Sequence, residues 1–252
     1  MTERRTLAVI RRRLLTMTLA SVLSAIGQVR GGTQELRVVT RMAPPIVRMD
    51  QGELGGFAID LWNTIAQRLH VTTRYQVAPD VGALLQRVRS ADADLGVGAI
   101  SITSAREREF DFSQPILNAG LQIMVRIQGS DDIKGPQDLS GKRVATTPGS
   151  TSAASLRELK ARVYQFPVLK FAYLALLDKK VDAMVFDAPV LLNYAAFAGK
   201  GRVKLVGQVF RQEDYGIVFP QNSPLRDQVN SALSALREDG SYQKVHDKWF
   251  TN

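Results

Sequence analysis

The sequence predicts an α/β protein that consists of two lobes with a cleft between them. From residue 35 onward, short β-type runs alternate with runs of helical periodicity, and the same order begins again near residue 143. This alternation favours mostly parallel sheets covered by helices, and ligands bind at the carboxyl ends of parallel strands. A chain of 252 residues is long enough to form two such lobes, each with its own core.

The first unit contains apolar strands, a turn-rich stretch and two helices with apolar residues on one face. We expect strands at residues 36–40 and 95–100, a hairpin near residues 52–56, and helices at residues 58–69 and 81–89.

The second unit repeats this order after an apolar strand and a polar crossing. We expect strands at residues 121–127, 143–146, 164–167, 183–187, 203–206 and 215–219, and helices at residues 150–162, 171–178, 190–198, 224–238 and 241–249. We therefore predict a first lobe of residues 34–123 plus 215–252 and a second lobe of residues 124–214.

The N-terminus has the layout of an export signal. A basic stretch precedes an apolar run at residues 14–27 that is shorter than a membrane span, so residues 1–27 are predicted to be a cleaved signal peptide. This segment holds five Arg and one Glu, so its removal leaves a net charge of +5 from the total of +9. The remaining chain is expected in the periplasm.

Composition excludes several classes of function. The chain has no cysteine and only two histidines, His70 and His246, which argues against a metal site, thiol catalysis and lipid attachment at a cysteine. No Lys/Arg-rich block interleaved with aromatic residues is present, so we do not expect nucleic acid as a partner. No cofactor is expected.

Three polar clusters follow predicted strands and precede helices. Arg106 lies in the first, where a guanidinium can hold a carboxylate or can simply be a solvated helix charge. Ser150 and Thr151 lie in the second, where a helix N-terminus can bind an anion or can simply be capped by the serine. Asp187 lies in the third, where it can accept an ammonium group or cap the next helix.

The ordered motifs GGFAIDLW, ADADLGVGAISITSAREREFDFSQP, DLSGKRVATTPGSTS, VDAMVFDAPV and LREDGSYQKVHDKWF resemble the polar-amino-acid-binding periplasmic proteins of ABC importers. The resemblance covers about residues 34–250. Within that family, GFAIDLW, SITSARE and AGLQIMV are similar to the ligand-binding core of bacterial ionotropic glutamate receptors, although the receptor's pore segment is absent.

The resemblance implies a type II periplasmic binding protein fold, which has a hinge and closes on its ligand. It implies that Arg106 and Ser101 bind the α-carboxylate of an amino acid, helped by the backbone around Ala99. Ser150 and Thr151 would contact the ligand from the second lobe, and Asp187 would bind the α-ammonium.

The same resemblance implies a monomeric binding protein, not an enzyme, that delivers an amino acid to an ABC permease. Two alternatives stay open: a sensory core related to the glutamate receptors, and an enzyme similar to cyclohexadienyl dehydratases in which Asp187 donates a proton.

The side-chain pocket departs from relatives that bind lysine or arginine, because Ala43 and Val81 stand where those relatives have aromatic rings. Arg41 follows the first strand and is expected to add positive potential at the mouth of the cleft. We therefore expect an acidic or small polar amino acid as the ligand rather than lysine or arginine.

Overall fold

Two five-stranded sheets organise residues 34–251, which are the residues that a computed structural model describes. The predicted signal peptide at residues 1–27 lies outside the described residues. The strands are β1 (Glu35–Thr40), β2 (Arg48–Asp50), β3 (Glu53–Gly55), β4 (Thr72–Val77), β5 (Leu95–Gly96), β6 (Phe110–Phe112), β7 (Leu117–Arg126), β8 (Arg143–Thr146), β9 (Arg162–Gln165), β10 (Ala183–Asp187), β11 (Val203–Tyr215) and β12 (Val218–Pro220).

Helices connect most of the parallel strands and cover the sheets. They are α1 (Phe57–Arg68), α2 (Val81–Arg89), α3 (Ser104–Glu107), α4 (Thr151–Glu158), α5 (Leu169–Leu177), α6 (Ala188–Ala196), α7 (Leu225–Glu238) and α8 (Ser241–Phe250), with a 3₁₀ turn at Pro136–Leu139. Helix α2 matches its predicted bounds because Asp80 caps it through Ala83 N and its apolar side chains face the core.

The first sheet has the strand order β4-β1-β5-β12-β6. Strand β1 runs parallel to both β4 and β5, whereas β12 runs antiparallel to its neighbours. Because β1 and β5 are parallel, their carboxyl ends lie at the same edge of the sheet. The chain segments that follow them, which include Arg41 and Ala99, therefore emerge side by side.

The second sheet has the order β11-β7-β10-β8-β9. Strands β8 and β10 are parallel, and Thr147 and Asp187 lie at their carboxyl ends. The α/β architecture and the two sheets expected from the sequence are thus confirmed.

Strands β7 and β11 form the crossing between the two lobes. They pair antiparallel over most of their length, from Leu117 opposite Tyr215 to Arg126 opposite Val203, with an irregularity between Val206 and Arg211. We propose that the lobes are divided between residues 123 and 124 and between residues 214 and 215, as the sequence predicts. Strand β7 pairs with β10 of the second sheet from Leu121 onward.

Two predicted strands differ from the observed ones. Strand β5 ends at Gly96 rather than at residue 100, because the chain turns at Gly98, whose φ of 144° favours glycine. The separate strands expected at 203–206 and 215–219 are instead one long β11 and a short β12.

The core consists of apolar side chains from both faces of the sheets and their helices. Trp62, Phe57, Phe186 and Phe219 are among its largest fully buried members. None of the helices within residues 34–251 has the length and apolar character needed to span a membrane.

Candidate functional site

Arg106 connects the two lobes. It lies in the short helix α3, which Thr103 caps by accepting the Arg106 backbone N–H at 3.2 Å. Its Nη1 donates to the Ser101 carbonyl at 2.7 Å, and its Nη2 donates to the Gly149 carbonyl of the second lobe at 3.2 Å. The guanidinium is therefore not a solvated helix charge.

Burial lowers the pKa of Arg106, and the negative charges of Glu213 and Asp187 oppose this effect. The two carboxylates therefore lie close enough to Arg106 to stabilise its charge, and the three groups form one electrostatic cluster between the lobes.

Asp187 is a buried carboxylate at the end of β10, with a side chain that is 5% exposed. It stands at the N-cap position of α6 but makes no capping hydrogen bond, so the cap interpretation of its carboxylate is wrong. Burial raises its pKa to about 6, although the positive charge of Arg41 favours the ionised form. The carboxylate is therefore not used as a helix cap and lies in the field of the Arg41 cation.

Arg41 is not at the mouth of the cleft, which corrects the expectation from the sequence. It is 3% exposed, its Nη2 donates to the Ala99 carbonyl at 3.4 Å, and its guanidinium carbon lies 5.3 Å from the centre of the Phe186 ring. Its Nε has no hydrogen-bond partner among residues 34–251. Burial lowers the pKa of Arg41, and the negative charge of Asp187 opposes this shift more strongly than any other group.

Tyr215 and Glu213 belong to the same cluster, and the sequence did not point to either. Tyr215 is fully buried, forms a β-bridge with Ser101, and has a hydroxyl without a regular hydrogen-bond partner within the described chain. Burial, together with the adjacent Asp187, raises the pKa of Tyr215 far above its ordinary value. Glu213 is 9% exposed and accepts a 2.7 Å hydrogen bond from Thr151 Oγ1.

Strand alternation links Glu213 to Tyr215. Residues two apart in a strand point to the same face, so Glu213 shares the face of Tyr215 once β11 is known to include it.

The hydroxyl groups at the start of α4 form hydrogen bonds within the protein. Ser150 Oγ accepts from Ala153 N at 3.2 Å and donates to the Thr147 carbonyl at 2.7 Å, so Ser150 is the N-cap. Thr147 Oγ1 is buried and has no hydrogen-bond partner among the residues described. The cap interpretation of Ser150 is therefore correct, and Thr147 is a second polar group that the sequence did not single out.

The lobes approach each other at two glycines. Gly149 has a φ of 68°, and a Cβ on it would lie 3.1 Å from both Cα and N of Gly82, the second residue of α2. The backbones of the two lobes thus touch where Arg106 also crosses between them.

Two separate cavities are each lined by residues of both lobes, and neither is lined by Ser101 or Asp187. A cavity of about 440 Å³ is lined by Arg106, Ser150, Thr151 and Glu213 among others. A second cavity of about 620 Å³ is lined mainly by apolar side chains from residues 42–44, 77–79, 167–174 and 194–198. Both volumes are in the range of small-molecule sites.

The charges of the cluster are balanced. Arg41 and Arg106 supply two positive charges, and Asp187 and Glu213 supply two negative charges at full ionisation. Buried charges are costly unless they are paired, so this arrangement suits a ligand that carries both signs and no net charge.

Comparison with known proteins places the chain in a family. The family model for bacterial extracellular solute-binding proteins, family 3, matches residues 36–252. The glutamine-binding protein GlnH of an ABC transporter from Bacillus subtilis is 30% identical over 79% of this chain and 73% of its own length.

Two solved structures share the fold at substantial identity. The GluR0 ligand-binding core from Nostoc punctiforme in complex with L-glutamate is 49% identical, with a TM-score of 0.81 over 86% of this chain and 100% of that one. An ancestral arginine-binding protein bound to glutamine is 35% identical, with a TM-score of 0.82 over 88% of this chain and 100% of that one. The chain belongs to the bacterial extracellular solute-binding proteins, family 3.

Proposed function

We propose that this protein closes its two lobes on an amino acid in the periplasm and delivers it to an ABC permease. One observation carries the proposal: the half-buried Arg106 from the first lobe and the buried Asp187 from the second belong to one charge cluster between the lobes. A guanidinium binds a carboxylate through parallel hydrogen bonds, and a carboxylate binds an ammonium group. An amino acid carries both of these groups on one carbon atom.

The relatives support the shared part of such a ligand rather than one side chain. They are a glutamine-binding protein, a receptor core in complex with L-glutamate and an arginine-binding protein bound to glutamine, and these amino acids differ in charge and shape beyond the α-carbon. The α-carboxylate and the α-ammonium are common to all three.

We assign the individual roles as follows. Arg106 and the Ser101 hydroxyl bind the α-carboxylate with the backbone near Ala99, and Asp187 binds the α-ammonium. Ser150 and Thr151 contact the ligand from the second lobe. Arg41 holds the Ala99 carbonyl and balances the charge of Asp187.

We further propose that the working protein is a monomer that is exported by means of residues 1–27 and binds without converting its ligand. Calorimetric titration of the purified chain with the twenty amino acids tests the proposal. We expect at least one of them to bind to the wild type and to bind much more weakly to Arg106→Ala. The absence of binding by all twenty contradicts it.

A sensory role is the second candidate, because the glutamate-receptor core is 49% identical to this chain. An assay of ATP hydrolysis by the reconstituted permease and its ATPase distinguishes the two roles. Stimulation of ATP hydrolysis by the ligand-loaded protein supports delivery, whereas ligand binding without any such stimulation supports the sensor.

An enzyme is the third candidate, because an Asp187 with a pKa of about 6 can hold and donate a proton near neutral pH. Turnover of prephenate or arogenate by the wild type, and its loss in Asp187→Asn, would establish the enzyme and contradict simple binding.

A further inference from the structure

A third cavity lies in the second lobe, at the end of its sheet that is remote from the cleft. It has a volume of about 600 Å³, and Arg126, Lys179 and Arg202 are among the residues that line it. Strand β10 begins beside this cavity, where Ala183 pairs with β7 next to Arg126, and ends at Asp187. At about 3.3 Å per residue, the two ends of β10 are about 13 Å apart. The cavity is therefore separate from the proposed amino-acid site, and we call it the cationic cavity.

The chain does not balance the charge of the cationic cavity. Among the described residues that line it, three are cations and none is an acid. None of the three forms an ion pair within residues 34–251. The carboxylates close to Lys179 in the sequence, Asp178 and Asp182, pair instead with Lys180 at 3.4 Å and with Arg143 at 2.7 Å. An anion from outside the chain can therefore meet three cations without displacing a carboxylate.

Arg126 is held in place and keeps unused donors. Its Nη1 donates to the carbonyls of Leu176 at 2.8 Å and Val181 at 2.7 Å. Its Nε is buried and has no hydrogen-bond partner among residues 34–251. A guanidinium has five N–H donors, and a buried donor without an acceptor is costly. Arg126 thus offers a fixed positive charge with donor capacity to spare.

The other two cations come from segments that are distant in the sequence. Lys179 follows α5, and Arg202 precedes β11 and donates from Nη2 to the Ala198 carbonyl at 2.6 Å. Ile127, which is 40% exposed, and Leu177 add apolar surface to the same cavity. The fold therefore brings cations from three segments to one cavity beside apolar carbon atoms, which suits an anion that is attached to an organic group.

The lobe that contains this cavity is the more basic of the two. Residues 124–214 hold 14 Lys and Arg against 9 Asp and Glu, a net charge of +5. Residues 34–123 and 215–252 together hold 13 Lys and Arg against 14 Asp and Glu, a net charge of −1. An uneven charge distribution attracts ions of the opposite sign to one part of the surface, so anions are directed to the second lobe.

We propose that the cationic cavity binds a phosphate group. Guanidinium groups bind phosphate oxygens through parallel, charge-assisted hydrogen bonds, and a lysine adds a point charge. The headgroup of an anionic lipid and a free phosphate or phosphate ester share this chemistry. The site goes beyond the proposed function, because none of its residues belongs to the amino-acid clamp.

Two measurements distinguish the sources of the phosphate. Calorimetry at low ionic strength tests inorganic phosphate and glycerol phosphate. Cosedimentation tests vesicles of phosphatidylglycerol and phosphatidylcholine against vesicles of phosphatidylcholine alone. We expect the wild type to bind a phosphate compound or the anionic vesicles. Lys179→Gln and Arg202→Gln should each weaken that binding about fivefold, since each removes one cation from the site.

Arg162→Gln is the matched control. It removes the same charge from the same lobe, but Arg162 is exposed on β9 and does not line the cavity. It should leave binding of the phosphate compound or the anionic vesicles within about twofold of the wild type. Melting temperatures should verify that all three variants fold.

Each outcome decides the proposal. Cavity-dependent binding of the soluble compounds identifies a free phosphate, and cavity-dependent binding of anionic vesicles alone identifies a lipid headgroup. Absence of both kinds of binding overturns the site. Equal weakening by Arg162→Gln also overturns it, because general attraction to a basic lobe would then explain the binding. Neither result bears on the amino-acid clamp, which the titrations with amino acids test separately.

Discussion

The two lobes are alike at one end of their strands and different at the other. At the amino ends, Arg37 at the start of β1 pairs with Asp94 just before β5, and Arg143 at the start of β8 pairs with Asp182 just before β10. Each arginine donates to its aspartate through the backbone N–H, Nε and Nη2, over nearly the same distances in both lobes.

The carboxyl ends of the same strands carry different residues. The position that holds Arg41 in the first lobe holds Thr147 in the second, and the position of Ala99 corresponds to Asp187. The first lobe thus supplies a cation where the second has a hydroxyl, and the second supplies an acid where the first has a methyl group.

The difference separates the structural end of each lobe from its functional end. Matching ion pairs link adjacent strands at the amino ends in both lobes. At the carboxyl ends, the first lobe carries the cation Arg41 and the second lobe carries the acid Asp187. Neither lobe by itself carries the set that a zwitterion requires, so binding is expected to require both.

The largest effect is expected from Arg106, the residue that we propose binds the α-carboxylate from the first lobe. Arg106→Ala leaves a carboxylate without its partner in a buried site and should cost about 2–5 kcal/mol of binding free energy. Arg106→Lys should restore little, because an ammonium lacks the two parallel donors. Calorimetry measures both variants.

Arg108→Ala is the matched control, since Arg108 is exposed and donates to the Ser104 carbonyl on the same helix. Affinity close to that of the wild type in Arg106→Ala would remove this residue from the site.

A smaller effect is expected from Asp187, the contribution of the second lobe. Asp187→Asn keeps the shape but removes the charge that we propose binds the α-ammonium, and should cost about 1.5–3 kcal/mol of binding free energy. Burial raises the pKa of Asp187 in the folded protein to about 6. Its contribution to the free energy of unfolding is therefore fully present below the pKa of the unfolded chain and is lost as the pH rises through about 6.

At pH 7.5 the ionised form of Asp187 is therefore a cost to the unliganded protein. The melting temperature of Asp187→Asn should stay the same or rise at this pH. A large fall in melting temperature with unchanged affinity would instead give Asp187 a structural role.

Acidification should weaken binding through the same carboxylate. With a pKa of about 6, roughly one tenth of the molecules have ionised Asp187 at pH 5, so affinity should be about tenfold lower than at pH 7.5. Titrations across this range measure the change, and Asp187→Asn should show no such step. An equally steep dependence in that variant would point to another group.

The smallest effect on binding is expected from the matching ion pairs. Arg37→Ala and Arg143→Ala should each lower the melting temperature slightly and to a similar extent, because these arginine side chains are 43% and 40% exposed. Both should leave affinity within about twofold of the wild type. A selective loss of binding in one of them would show that the structural end also shapes the site.

The sequence predicted the helices better than the strands. Asp80 and the apolar spacing that follows it specify α2, and Gly240, with a φ of 78°, separates α7 from α8 as expected. Ser150, Thr151 and Asp187 were recognised because each lies at the end of a strand or soon after it, at the start of a helix, and Arg106 because it belongs to the polar segment that follows the strand predicted at residues 95–100.

Glu213 was missed because the predicted strand began at Tyr215, two residues later. Residues 207, 208 and 212 of β11 are exposed, so no apolar alternation extends the predicted strand back to Glu213. The location of Arg41 was missed for a different reason. An arginine after a strand is usually solvated, and only the three-dimensional proximity of Asp187 makes its burial tolerable.

The close approach of Gly82 and Gly149 has a consequence for the rate at which a ligand leaves. Since the backbones of the lobes meet there without side chains, the closed form excludes water from this contact and dissociation has to wait for the lobes to separate. A methyl group at residue 149 would lie 3.1 Å from the Gly82 backbone and should hold the lobes apart and shorten the residence time of the ligand, whereas one at residue 82 would make only an ordinary contact of 4.0 Å with Gly149. The Gly149 backbone is thus expected to affect how long a bound amino acid stays in the cleft.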